Sequence, residues 1–193
     1  MRPEFVRLFP AVGPASPDER TAFFFTEGQT LEISSVSDFT KGYAAPKFQN
    51  LTSTGQPGSN SEFVDIDFPV FRLADAYLMY AEAVLRGGGG SRAQALDYVN
   101  QLRRRAYGGA GGNITDAQLT LDFVLDERGR ELFWEGHRRT DLIRFDRFAG
   151  GDYLFAWMGG APAGRATEPF RALYPLPATE LVANPNLTQN PGY

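Results

Sequence analysis

The stretch Asp126-Glu127-Arg128-Gly129-Arg130-Glu131-Leu132-Phe133-Trp134-Glu135-Gly136-His137-Arg138-Arg139-Thr140-Asp141-Leu142-Ile143-Arg144-Phe145 decides how this chain is read. Acids and arginines alternate along an apolar helical pattern that Gly136 interrupts. Glu127, Glu131 and Glu135 recur every fourth residue and so share one helix face. Such a row of carboxylates is either the hardware of an active site or the internal wiring of a helical scaffold. Di-iron bundles pair helical carboxylates with a histidine three residues after a glutamate, on two helices. Here His137 follows Glu135 by two residues, across a glycine, and no second Glu-x-x-His occurs. Glycoside hydrolysis needs two opposed carboxylates across a sugar-sized gap, which neighbours on one helix do not supply. The interleaved Arg128, Arg130, Arg138, Arg139 and Arg144 favour carboxylate–guanidinium pairing between helix faces. The glutamate row is therefore expected to be structural, with no catalytic residue, no metal site and no cofactor. His137, at a helix junction without a partner constellation, is expected to be structural too.

Working outward, helical signals fill residues 67–148. A first helix is expected over about 69–86, with Pro69 in its first turn and Gly87-Gly88-Gly89-Gly90 ending it. Ser91 with Gln94 forms a capping-box signature for a second helix, whose stripe is Ala95, Leu96, Val99, Leu102 and Ala106. Thr115 with Gln118 repeats the signature for a third, running to Glu135 and closed by Gly136. A fourth, shorter helix is expected from His137 to about Phe148. Val70-x-x-Leu73-Ala74-x-x-Tyr77 has the spacing of the first helix of a tetratricopeptide repeat, and Ala95-x-x-x-Val99 fits the second loosely. An ordinary helical hairpin with an apolar face satisfies the same spacing.

The flanks differ. Residues 1–66 are rich in Gly, Pro, Ser, Thr and aromatics, with runs such as Phe23-Phe24-Phe25 and Leu31-Glu32-Ile33 that suggest loops and a few short strands. Residues 149–193 return to aromatic and Pro-rich loop. The chain is thus expected to be one domain over 1–193, mainly α, with long irregular loops.

Composition narrows the functions. A length of 193 residues can enclose a core, and 42% hydrophobic with 22% charged residues is ordinary for a globular chain. A net charge of −4 argues against general nucleic-acid binding. The chain has no cysteine, which removes disulfides, thiolate chemistry and Cys-ligated zinc. Its only lysines are Lys41 and Lys47, so most cations are arginines suited to fixed bidentate pairing. No apolar run approaches the ~20 residues of a membrane span. Pro3, Glu4 and Arg7 break any signal-peptide core, so the sequence is expected to carry no address of its own.

One loop offers binding chemistry. Tyr153, Phe155 and Trp157 alternate, so an extended segment would project them to one side. Glycines surround them, and Asp152 and Arg165 lie near in sequence. Flat apolar rings accept the C–H faces of sugars while planar polar groups read hydroxyls. Trp157 and Tyr153 are the candidate stacking faces, with Asp152 and Arg165 as hydrogen-bonding groups. The bland alternative is that these rings staple the loop to the helical body. Loops at about 42–60 and 149–171 are the candidate ligand or partner contacts.

Four motifs together resemble the C-terminal part of the SusD/RagB family of outer-membrane nutrient-binding lipoproteins. They are Asp67 to Ala83, similar to the family's "R-L-A-D-x-Y-L-x-Y-A-E-A" helix; Ala95 to Ala106, similar to "A-L-x-x-V-N-x-x-R-x-R-A"; Glu127 to Phe145, similar to "E-R-x-x-E-L-x-x-E-G-x-R-x-x-D-L-I-R-F"; and Tyr174-Pro175-Leu176-Pro177 with Asn184 to Tyr193, similar to the family's closing "Y-P-I-P … N-P-N-L-x-Q-N-P-G-Y". The likeness covers about 18–193, with a looser fit at Asp18-Glu19-Arg20, Gly42-Tyr43 and Lys47-Phe48. It implies a helical fold on tetratricopeptide-like pairs with irregular loops. It also implies non-catalytic capture of oligosaccharide or another nutrient at the outer-membrane surface, and delivery to a TonB-dependent transporter of the SusC type. Membrane association would come only through the lipid anchor of a longer parent, since family members are normally far longer. A protein-docking helical module without a ligand, or less readily a glycoside hydrolase, would be the alternatives.

Overall fold

The computed structural model describes residues 1–193 and is mainly helical. Two compact units, Met1–Arg138 and Arg139–Tyr193, are described in turn.

In the first unit, α1 (Pro3–Val6) starts on a proline whose fixed φ suits the first turn, and it buries Pro3 and Val6. α2 (Leu73–Leu85), α3 (Arg92–Ala106) and α4 (Leu121–Glu131) form the helical body, with α2 packed on both of the others. Their inner faces carry Ala74, Leu78 and Ala81 of α2, Ala95, Val99 and Leu102 of α3, and Val124 and Leu125 of α4. The small alanines let the axes approach, and Tyr77 stacks on Tyr98 across α2 and α3, with ring centroids 4.2 Å apart and planes within 4°. α2 ends in a Schellman arrangement: Gly87 takes φ +93°, and the Gly87 and Gly88 amides donate to the carbonyls of Val84 and Ala83. Ser91 then caps α3, its hydroxyl accepting from the Gln94 amide. The buried Asn100 side chain binds the Ile114 backbone through both its amide groups, tying the following loop to α3.

Three element boundaries differ from the sequence expectation. α2 starts at Leu73 and not near Pro69, because Arg72 stays extended as its side chain reaches Glu131 and Glu135. The segment from Thr115 to Glu135 is not one helix. A 3-10 turn over Asp116–Gln118, held by Gln118 Oε1 accepting from the Thr115 amide at 2.8 Å, is followed by a fresh start at Leu121 capped by Thr120. α4 then stops at Glu131, and Trp134 turns the chain with φ +61°. The expected fourth helix is the seven-residue α5 (Arg138–Arg144). The short strands expected in 1–66 reduce to isolated bridges, Phe25 with Ala44, Thr30 with Lys41 and Leu51 with Pro57. Phe23-Phe24-Phe25 serves packing instead. Phe24 joins Val6, Phe9 and Phe133 in a second apolar cluster, with Phe9 and Phe24 edge to face at 5.0 Å.

In the second unit, Arg139 organises the chain's end. Its guanidinium donates to the carbonyls of Arg171 and Ala172 and lies 4.0 Å from the Tyr174 ring centroid. α6 (Ala178–Ala183) is followed by Gln189, whose side-chain amide pairs with both backbone groups of Leu176. Asn190 donates to the Tyr174 carbonyl, and Tyr193 donates its hydroxyl to that of Leu173. The closing Tyr-Pro and Asn-Pro motifs are thus hydrogen-bonded to each other. No helix is long and apolar enough to cross a membrane.

Candidate functional site

The glutamate row comes first, because its environment decides what it can do. Glu127 is fully buried and accepts from three arginines: Arg20 at 2.9 Å, Arg103 at 2.7 Å and Arg130 at 2.8 Å. Arg20 is itself held bidentate by the buried Asp18, at 2.9 and 2.7 Å. Glu131 takes bonds from Arg20, Arg72 and Arg105. Glu135 takes the Arg72 fork at 2.7 and 2.9 Å, together with the Lys47 ammonium. Lys47 also donates to the Phe133 carbonyl. Carboxylates so fully committed to guanidinium and ammonium groups offer no open coordination positions. No group of three or more His, Cys, Asp or Glu residues is arranged to hold a metal ion. The face is structural wiring, neutralised by Arg130 of the interleaved set together with Arg20, Lys47, Arg72, Arg103 and Arg105 from other parts of the chain.

Burial alone would push the Glu127 carboxyl up, but Arg20, Arg130 and Arg103 outweigh it and hold it at about 2, below its ordinary 4.5. Burial opposes the charge on Arg20, yet its bond to Asp18 and the nearby Glu127 raise it further. Because the folded pKa of Glu127 is depressed, its contribution is complete above about 4.5 and is lost as the pH falls through about 2. That contribution is on the order of 3 kcal/mol. Urea midpoints between pH 6 and pH 2 are expected to fall more steeply for the parent than for Glu127→Gln. Parallel profiles would show that this carboxylate is not the source.

The candidate binding residues lie in the second unit. The segment that carries them is loop and turn, with no strand. Gly150 pairs with Thr167 across an antiparallel bridge, and the chain between them folds back as an irregular hairpin. Gly164, at φ +80°, sits so close to the Phe155 carbonyl that a Cβ there would lie 2.6 Å from it. At the tip the chain bends at Trp157, whose φ is +65°, into a 3-10 turn over Met158–Gly160. The Arg165 amide closes this tip on the Met158 carbonyl at 2.9 Å, and the Trp157 amide reaches that of Pro162. Trp157 and Arg165 are therefore brought together at the tip. Tyr153 lies lower on the first arm, edge to face with Phe155 at 6.4 Å, and Asp152 lies near the base with its side chain exposed. The backbone takes turns at Trp157, Gly159 and Gly160 that alternation alone does not foresee. Both Trp157 and Tyr153 are half-buried. Beside the hairpin an open cleft is lined by Arg165, Thr167, Glu168 and Arg171, and of the four candidates only Arg165 enters it.

One prominent residue escaped the sequence reading. Trp134 lies between buried Phe133 and buried Glu135, yet is itself 62% exposed. The available signal was a tryptophan placed directly before the Glu135-Gly136 stop.

Residues 25–193 match the SusD family model. Among curated relatives, the chain is 38% identical over 184 residues to "Starch-binding protein SusD" of Bacteroides thetaiotaomicron, spanning 93% of this chain and 32% of that protein. It is 34% identical over 147 residues to "SusD-like protein P2" of Formosa agariphila, spanning 72% of this chain and 28% of that one. The chain thus spans about a third of the length of the curated relatives it matches. Among solved structures, a SusD superfamily protein from Parabacteroides distasonis shares 28% identity with a TM-score of 0.65, over 98% of this chain and 41% of that one. Another, from Bacteroides vulgatus, shares 27% identity with a TM-score of 0.62, over 92% of this chain and 36% of that one.

Proposed function

The chain belongs to the SusD family, and we propose that it serves non-catalytic capture of glycan at the outer-membrane surface. The observation that carries this reading is the match of 93% of the chain to a relative named as starch-binding. The geometry agrees with a role without catalysis, since the prominent carboxylates are neutralised inside the scaffold. Captured ligand would pass to a TonB-dependent transporter of the SusC type, and a lipid anchor on a longer parent would hold the protein at the membrane.

The residues proposed to contact ligand are Trp157 and Tyr153 as stacking faces, with Arg165 and Asp152 donating to and accepting from hydroxyls. Trp157→Ala is expected to weaken retardation in starch-containing native gels at least tenfold, with the helical circular dichroism unchanged, because a stacked ring supplies most of its contact area. Unchanged retardation would remove the hairpin from the site and leave capture by another surface.

A second reading, docking of a protein partner, is favoured by the exposure of Phe63, Val64, Phe68, Val70, Phe71 and Leu73 along the approach to α2. A chain that retains a transporter in pull-down while binding no glycan would support it.

A further inference from the structure

We infer that the first unit carries a second glycan contact, a cleft in which Trp134 and Phe39 present their rings beside Asp38, Lys41 and Ser35. This inference rests on the glycan-capture reading and adds a site to it.

The backbone gives the first reason. Trp134 holds φ +61°, a region that residues with a Cβ seldom adopt and that a bulky one adopts only when its surroundings enforce it. Both neighbours do so here. Phe133 is locked in the aromatic cluster, and Glu135 is fixed by Arg72 and Lys47. The turn therefore pushes Trp134 outward from a rigid base, where its indole N–H reaches the Met1 sulfur at 3.3 Å while most of the residue stays exposed. Strain that packing does not repay at the strained residue itself is characteristic of binding positions.

The facing wall is also built. The Thr30 amide donates to the Thr40 carbonyl at 3.0 Å, and the Gly42 amide returns to Thr30 at 2.8 Å, so the loop between them is closed. Gly42 takes φ +84°, and a Cβ there would come within 2.9 Å of Ile33 and 3.0 Å of the Met1 carbonyl. This loop carries Phe39 at 92% exposure. Thr40 fixes Asp38 through its amide at 2.9 Å and its hydroxyl at 2.7 Å, and the Lys41 ammonium lies 3.9 Å from that carboxylate.

Trp134 and this loop line one open cleft of about 540 Å³, within the range of ligand pockets. Two aromatic residues with an acceptor and two donors on the same lining suit a ligand that offers both C–H faces and hydroxyls, which is the chemistry of an oligosaccharide. Met1, Ile33, Val36 and Tyr43 complete a mostly apolar lining on which the C–H faces of a sugar can pack.

The chain has two tryptophans, so each can be observed alone. In full-length Trp157→Phe, titration with maltoheptaose is expected to shift and quench the Trp134 emission saturably. In that background Phe39→Ala and Asp38→Asn should each weaken the apparent affinity at least threefold. Trp134→Gly suits the left-handed turn, so it should melt no lower than the parent while losing the added contact. A response in Trp134→Phe, from Trp157, with none from Trp134 would overturn this second contact and leave the hairpin assignment standing. Silence from both would overturn the second contact together with glycan binding by this chain. A Trp134 response that ignores Phe39→Ala and Asp38→Asn would also overturn it, since the ring would then be sensing binding elsewhere.

Discussion

Glu127→Gln is expected to lower the unfolding free energy by about 3–5 kcal/mol, the range for breaking a buried ion cluster by removing one member. Three guanidinium groups converge on Glu127, and Arg20 and Arg103 are nearly as buried as the carboxylate. Glutamine keeps the shape but replaces one acceptor oxygen with a donor facing donors, so the arginines stay buried without a full counter-charge. Domains are typically stable by only 5–15 kcal/mol, so the loss is a large fraction of the total. Urea unfolding followed by circular dichroism at neutral pH measures it directly. A shift below about 1 kcal/mol would mean that Asp18, Glu131 and water take over the charges, contrary to the cluster's geometry. Arg104→Ala is the matched control, because Arg104 pairs only at the surface with Asp97 and should cost well under 1 kcal/mol.

The second large effect is expected at Phe133. Its ring lies 5.6 Å from Phe5, 6.3 Å from Phe9, 6.1 Å from Phe23 and 5.8 Å from Phe24, and the Lys47 ammonium sits 4.5 Å from its centroid. Truncation removes the hub that joins the start of the chain to the turn after α4. Phe133→Ala is therefore expected to cost about 3–5 kcal/mol, from lost transfer energy plus a cavity among rigid rings. Phe133→Leu retains much of the volume and should cost less than half of that. Equal losses for the two variants, in thermal or urea unfolding, would show that the cluster does not close around the smaller chain.

The helices were legible because their signals are local. Ser91 and the glycines after α2 and α3 each act within a few residues of themselves, and the structure uses them. The wiring role of the glutamates was legible from the alternation of acids and arginines, but most of the partners were not: Arg130 stands in the same stretch, whereas Arg20, Lys47, Arg72, Arg103 and Arg105 come from elsewhere in the chain. The start of α2 was not legible, because Arg72 is held out of the helix by carboxylates 59 and 63 residues further on. Trp134 was hidden for the same kind of reason. A helix pattern followed by glycine reads as a simple stop, while the left-handed turn before that glycine is imposed by Lys47 and Arg72 from elsewhere in the chain. In the hairpin, alternating aromatics named the residues but not their arrangement, since glycines at Gly159, Gly160 and Gly164 supply turns that no side-chain period reveals.

The pairing of Arg20 with Glu127 spans 107 residues, which sets a waiting time during synthesis. At roughly 5–20 residues per second, Arg20 is synthesised about 5–20 seconds before Glu127. In that interval Asp18, two residues away, is the one acidic member of the cluster already made, since Glu131 follows Glu127. The bidentate Asp18–Arg20 clasp is available throughout that interval, forming a net-neutral pair in a nascent segment rich in phenylalanine. With that early partner removed, Asp18→Asn should show itself first as slower or less soluble expression.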